Sequence, residues 1–301
     1  MDLFSRLQLP LIGAPLFIVS YPALVVAQCR ARILGTFPAL NARQPGQLDL
    51  WLTEIAAALG TEAAPFGVNL IVHASNTRLA EDLAICAAHR VPLIITSVGE
   101  PSAVVATVHG YGGLVFHDIT TLRHAEKALA AGVDGLILVA AGAGGHAGLL
   151  SPFALVEEIR RLYTGPLVLS GAITRGYQIR AAQLMGADFA YMGTRFIATQ
   201  EANASPAYKQ ALLAASARDI VYTPVFTGIP ANYLRASVAA AGYDPDKIIG
   251  GASQPDFTPA TSEAKAWKDI WGAGQGVGSI DDLPSVADLV ARLQQEYEAV
   301  R

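Results

Sequence analysis

Short runs of aliphatic and β-branched residues alternate along most of the chain with Ala-rich segments whose apolar positions recur every three or four residues. The first pattern predicts strands and the second helices, and their alternation predicts βα units around a parallel sheet. Strands are expected near 11–13, 32–35, 66–71, 92–96, 113–116, 135–139, 167–170 and 189–192. Asp49 is placed to cap a helix with Leu52, Ile55 and Leu59 on one face before Gly60. Ser151-Pro152 opens another, bearing Leu155, Ile159 and Leu162. These are ordinary helix-start residues. A weak internal echo, Ala131-Gly132-Val133-Asp134-Gly135 against Met185-Gly186-Ala187-Asp188-Phe189, has in each copy a helix ending at Gly and re-entering a strand.

Eight strands before residue 200 make a TIM (β/α)8 barrel the economical α/β closure, since that fold takes roughly 250 residues. A doubly wound open sheet is the rival. Residues 1–197 are read as the barrel. Residues 198–272, where Pro206, Pro224, Pro230, Pro245, Pro255 and Pro259 break polar segments, are read as a small, mainly helical insertion or lid. Residues 273–301 then supply a loop and a C-terminal helix whose stripe Val286, Leu289, Leu293 and Tyr297 packs on the barrel.

Composition narrows the function class. With 52% hydrophobic and 15% charged residues the chain must bury a large core rather than stay disordered. A net charge of −4 without a basic run among aromatics removes the footprint of a nucleic-acid binder. The uncharged stretch 7–29 is broken by Pro10, Pro15 and Pro22, which argues against a membrane span, and the N-terminus lacks an export signal. Cys29 and Cys86 stand far apart with no CxxC or Cys/His cluster, so neither a disulfide framework nor a metal site is expected. A reducing, cytoplasmic setting follows, with no nucleic-acid or membrane partner.

The densest chemical signal is Gly142-Ala143-Gly144-Gly145-His146-Ala147-Gly148. Gly142, Gly144 and Ala147 satisfy a loose dinucleotide fingerprint, but that motif needs an acid at the end of the next strand, where Ser170-Gly171 stands. In a barrel the same segment is a βα loop on the catalytic face, and glycines around an imidazole let a flat ligand approach a proton-exchanging group. A tight loop satisfying His146 internally is the structural alternative. Ser170-Gly171-Ala172 and Gly193-Thr194-Arg195 follow the seventh and eighth strands, the usual phosphate site of this fold, so a phosphorylated ligand or cofactor is expected. His117 and Asp118 are adjacent on a strand end, so at most one faces the mouth. His73, His89, His109 and His124 have no metal-ligand spacing, and Tyr222, Asn232 and Tyr233 either wall a pocket or pack within the insertion.

In order along the chain, Leu11-Ile12-Gly13-Ala14-Pro15-Leu16, Phe66-Gly67-Val68-Asn69-Leu70, Ala143-Gly144-Gly145-His146-Ala147-Gly148, Ser170-Gly171-Ala172-Ile173, Met192-Gly193-Thr194-Arg195-Phe196 and Ala273-Gly274-Gln275-Gly276 make a specific set. On these blocks the chain resembles the nitronate monooxygenases, formerly called 2-nitropropane dioxygenases, and the related FMN-dependent enoyl reductases. The resemblance implies a TIM barrel with FMN at its C-terminal mouth. Ala14, Pro15 and Leu16 would lie against the flavin ring, Asn69 would hydrogen-bond it, and Gly144 and Gly145 would approach it. Ser170, Gly171, Ala172, Gly193 and Thr194 would form the phosphate end, Gln275 would border the site, and His146 would be the base. Departures stand at Gly142, where relatives often have Glu, at Ala172 in place of a second glycine, at Leu16 in place of a frequent Met, and at Asp118, where some relatives have Lys or a neutral residue. Ala172 would still offer its N–H if its φ is negative.

The expected activity is FMN-dependent oxidation of alkyl nitronates, and of nitroalkanes if His146 abstracts a proton, with O2 to a carbonyl compound and nitrite. Two alternatives stay open: an FMN-dependent NAD(P)H reductase of an enoyl thioester or quinone, and a non-catalytic ligand-binding barrel. The partners are a small molecule and O2, and a homodimer is left open.

Overall fold

A computed structural model describes residues 3–248 and 269–300. In chain order its strands are β1 (Leu11–Gly13), β2 (Gly35–Pro38), β3 (Phe66–Ile71), β4 (Leu93–Ser97), β5 (Leu114–Ile119), β6 (Gly135–Val139), β7 (Gly145–His146), β8 (Leu167–Ser170), β9 (Phe189–Met192), β10 (Ile220–Thr223) and β11 (Ala231–Leu234). Eight of them form one parallel sheet in the order β1-β9-β8-β6-β5-β4-β3-β2, and a parallel bridge between Ile12 and Leu34 joins its two edges. The sheet is therefore closed: a (β/α)8 barrel and not an open doubly wound sheet.

The period-2 alternation of each strand separates two cores. Ile12, Leu93, Ile95, Phe116, Ile137, Val168 and Tyr191 fill the barrel interior with Leu34. Their neighbours, such as Val68, Ile94, Val115, Leu138 and Leu169, pack outward against the helices. The N-terminal end is plugged by Phe4, whose ring lies 5.9 Å from that of Phe116 and 4.4 Å from that of Phe189. Only the C-terminal end is left as a mouth.

The second strand lies at Gly35–Pro38, later than the expected 32–35, because Arg32 turns the chain at φ +55 before extension begins. The helix Gln47–Ala58 is capped by Gly46 at φ +73, and Asp49 sits inside its first turn, paired with His89 at 2.7 Å. The helix Pro152–Leu162 buries Leu155 and Ile159 but leaves Leu162, its last residue, exposed. The C-terminal helix Val286–Glu298 buries Val286, Leu289 and Leu293 and crosses Gly176, where an added Cβ would come within 1.9 Å of the Leu293 carbonyl oxygen. That crossing needs glycine. Arg195, leaving β9, pairs with Asp282, which Arg292 also holds at 2.8 Å, tying this closing segment to the mouth.

Within 198–272 the described residues include the helix Pro206–Ala214 and also β10 and β11, an antiparallel pair that the polar, proline-broken sequence does not announce. Their partner is β7, in the glycine loop, so these short strands are stable only through a long-range contact. Pro255 and Pro259 lie outside the described residues. Among the described residues no helix is long and apolar enough to cross a membrane. Cys29 and Cys86 are both buried free thiols.

Candidate active site

A cavity of about 1380 Å³ opens at the C-terminal mouth. Ala14, Pro15, Leu16, Asn69, Gly144, Gly145, His146, Ser170, Gly171, Ala172, Gly193 and Thr194, which come from five separate strand ends, all line it. Gln275 stands just behind the wall formed by Gly274 and Gly276, and its backbone N–H donates to the Gly142 carbonyl at 2.9 Å.

The glycine loop is shaped by positive φ at Gly142 (+87) and Gly145 (+68) and then held from above. β11 pairs antiparallel with Gly145–His146, Asn232 Nδ2 donates to the Ala143 carbonyl at 2.6 Å, and Tyr222 Oη donates to the Ala147 carbonyl at 2.9 Å. Tyr222 and Asn232 are thus clamps on the loop. Tyr233 packs edge-on against Phe226 in a separate small core.

His146 Nε2 lies 2.9 Å from Thr227 Oγ1, and that hydroxyl lies 3.0 Å from the Ile229 carbonyl oxygen. A carbonyl can only accept, so the one hydroxyl proton of Thr227 is committed to Ile229. His146 must then donate from Nε2, which leaves the imidazole lone pair on Nδ1. Desolvation in the cavity wall pushes the His146 pKa down to about 4, so the ring is neutral at working pH.

The floor carries a second polar group. Asn69 Nδ2 donates to the Ile95 carbonyl at 3.1 Å and to Ser97 Oγ at 2.8 Å, which commits both amide protons and leaves Oδ1 as the open acceptor. Ser97 Oγ in turn donates to Asp118 Oδ2 at 2.6 Å. Contrary to the expectation that at most one of the pair faces the mouth, His117 and Asp118 on β5 both line the cavity: Asp118 lies two residues beyond Phe116, and His117 bonds Thr96 Oγ1 at 2.8 Å. Burial lowers the His117 pKa to about 4 and raises that of Asp118 to about 7. His73, His89, His109 and His124 bond Ser75, Asp49, Asp134 and Thr120 respectively.

The condition set on Ala172 is not met. Ala172 has φ +55, not a negative value, and follows Gly171 at φ +142. The closing loop forces this turn: an added Cβ on Gly276 would meet the Ala172 carbonyl oxygen at 2.7 Å, and Thr174 Oγ1 bonds Ser279 Oγ at 2.5 Å. A left-handed alanine costs about 1–2 kcal/mol, while glycine costs about 0.5–1 kcal/mol in chain entropy. Ala172→Gly should therefore raise the melting temperature by about 1–3 °C. An unchanged or lower melting temperature would show that the left-handed turn carries no strain.

Thr227 has no local sequence signal that would mark it as the partner of His146. Ser97 and Tyr191, by contrast, sit two residues beyond Ile95 and Phe189, so strand periodicity alone could have placed them inside the mouth.

The closed barrel, the C-terminal cavity and the histidine on a glycine loop place a candidate active site at the mouth of a (β/α)8 barrel. Residues 75–296 match the family model described as nitronate monooxygenase, and the chain belongs to that family. It is 29% identical to a nitronate monooxygenase of Paraburkholderia phytofirmans, with 96% of this chain and 92% of that protein covered. A solved nitroalkane oxidase from Streptomyces ansochromogenes is similar with a TM-score of 0.82 and 28% identity, over 99% of this chain and 98% of the other. FabK from Thermotoga maritima shares the fold, with a TM-score of 0.83 at 24% identity over 99% and 95% of the two chains. Family membership sets aside the reading of a non-catalytic barrel.

Proposed function

We propose that the protein is an FMN-dependent enzyme that oxidises alkyl nitronates with O2 to carbonyl compounds and nitrite. Two nitronates and one O2 balance two carbonyls and two nitrites, so no external reductant is needed. The observation that carries the reading is His146, held neutral with its lone pair on Nδ1, in the wall of the family's mouth.

The cavity fits a flavin. It has room for a fused ring system, and its lining includes Asn69, whose amide protons are both committed, together with Asp118 Oδ1 and Tyr191 Oη, buried atoms without a partner among the described residues. A ring edged with donors and acceptors would satisfy them. In this reading Ala14, Pro15 and Leu16 lie along the ring, with Gly144 and Gly145 close to it. Ser170, Gly171, Ala172, Gly193 and Thr194 hold the phosphate, and Gln275 borders the site. When bound, the flavin supplies electron acceptance from the electron-rich nitronate carbon.

The chain's own residues orient the substrate and manage its proton. A preformed nitronate needs no base, and neutral His146 can sit beside its charge as a hydrogen-bonding group. A neutral nitroalkane needs its carbon proton removed, and a histidine with a depressed pKa does this with less driving force. The site thus favours the nitronate over its conjugate acid. Of the segment 198–272 read as a lid, the described residues supply Thr227.

Anaerobic addition of an alkyl nitronate to the purified protein, followed by visible absorption, tests the proposal. Bound flavin that loses its oxidised spectrum without NAD(P)H is the expected result. Flavin that ignores nitronate but is reduced by NADH or NADPH would move the protein to the reductases, and protein that takes up no FMN would overturn the cofactor as well.

A further inference from the structure

Asp118 is a buried acid lining the mouth, and its surroundings give its carboxyl a definite sense. Ser97 Oγ donates to Oδ2, so a proton on the group belongs on Oδ1. That Oδ1 is buried and has no partner among the described residues. The same is true of the hydroxyl of Tyr191, a buried residue lining the same cavity that feels the charge of Asp118. Two orphaned polar atoms in one cavity are costly unless a ligand meets them.

We propose that Asp118 is a hydrogen-bond donor of the flavin site, presenting Oδ1–H to an acceptor atom on the bound ring, with the Tyr191 hydroxyl as the second donor of the floor. This rests on the flavin reading above. Burial raises the Tyr191 pKa well above its ordinary value, so its hydroxyl stays a donor at any working pH. Around Asp118, β3 contributes the amide of Asn69, β4 the hydroxyl of Ser97, β6 the apolar Ile137 and β9 Tyr191. The other ionisable groups of the mouth, Arg43, Glu100, His117, His124, Lys127 and His146, form no ion pair or hydrogen bond with it among the described residues. No cation is therefore present to hold Asp118 ionised, and desolvation raises its pKa to about 7.

Flavin affinity should consequently depend on pH, because ionised Asp118 has lost the donor and turns a negative charge on the ring. For a ligand that binds only the acid form of a group titrating near 7, the Kd rises about tenfold between pH 6 and pH 8. Riboflavin is the probe, since it lacks a phosphate that titrates in the same range; its binding is followed by fluorescence quenching. In Asp118→Asn, which keeps a donor but cannot ionise, the pH dependence should vanish. Infrared difference spectra of the wild-type protein should show a protonated carboxyl band that shifts to lower frequency on riboflavin addition, a readout that does not depend on the variant folding. Riboflavin that binds with the same affinity at pH 6 and 8, or a carboxyl band that does not respond, would overturn the donor role while leaving the flavin assignment standing. Failure of both riboflavin and FMN to bind would overturn both.

Discussion

Replacing His146 with Asn is expected to lower turnover of neutral nitroalkanes by about 10²–10⁴-fold, the usual worth of a positioned general base, while leaving flavin content unchanged. Asn keeps a hydrogen-bonding end of similar reach but cannot accept the carbon proton. Turnover of preformed nitronate should fall much less, because no proton leaves carbon in that reaction. The comparison of the two substrates, with the ratio of flavin to protein absorbance as a control, separates base chemistry from a folding defect. Nitroalkane turnover that survives the substitution would sink the base role.

The same histidine sets a pH signature. The neutral ring is the proton-accepting form, and burial holds its pKa at about 4. Nitroalkane activity limited by this group should therefore be lost only as pH falls through about 4, with no inflection near 6.5. The linked stability has a definite sign. The unfolded histidine protonates near 6.5 but the folded one does not, so the unfolded state binds more protons between 6.5 and 4. This group's contribution to stability is complete above 6.5 and declines as pH falls to about 4.

Thr227→Val is expected to be the second large effect. It keeps the side-chain volume but removes the hydroxyl that accepts from His146 Nε2 and donates to Ile229. A net hydrogen bond of about 0.5–1.5 kcal/mol corresponds to about a two- to tenfold loss of nitroalkane kcat, with the larger value if the ring exchanges tautomers freely. Thr227→Ser, which restores the hydroxyl, should recover most of the activity. Nitrogen NMR of the labelled histidine reads the tautomer directly. Wild-type protein should show Nε2–H, and the valine variant a mixture. A wild-type Nδ1–H tautomer would contradict the assignment whatever the substrate proves to be.

The two variants probe parts of the site that differ in how far they were legible. His146 stood out because glycines on both sides make a loop that serves a ligand better than a core. Gly171 and Gly193 were legible for a related reason: each falls at the end of an apolar strand run, where a barrel builds its active face, whereas Ala14 and Asn69 were marked only by the family resemblance. Thr227 carried no such mark. It lies in a proline-broken stretch whose strands exist only because β11 pairs with β7, and pairing across so long a sequence separation leaves no periodic trace in either segment. The conformation of Ala172 was not legible for a similar reason, since an alanine by itself favours a negative φ and the left-handed turn is seen only where the closing loop packs on it.

By itself the sequence determined the number and order of the barrel strands, the faces of the helices and the strand ends from which the mouth is built. These follow from local periodicity, which an isolated segment already contains. The tertiary structure alone decided that the sheet closes through Ile12 and Leu34, that Ser97 bonds Asp118, and that Thr227 holds the His146 tautomer. Each depends on desolvation or on a hydrogen bond between groups distant in sequence, and such energies come into being only when the chain is packed.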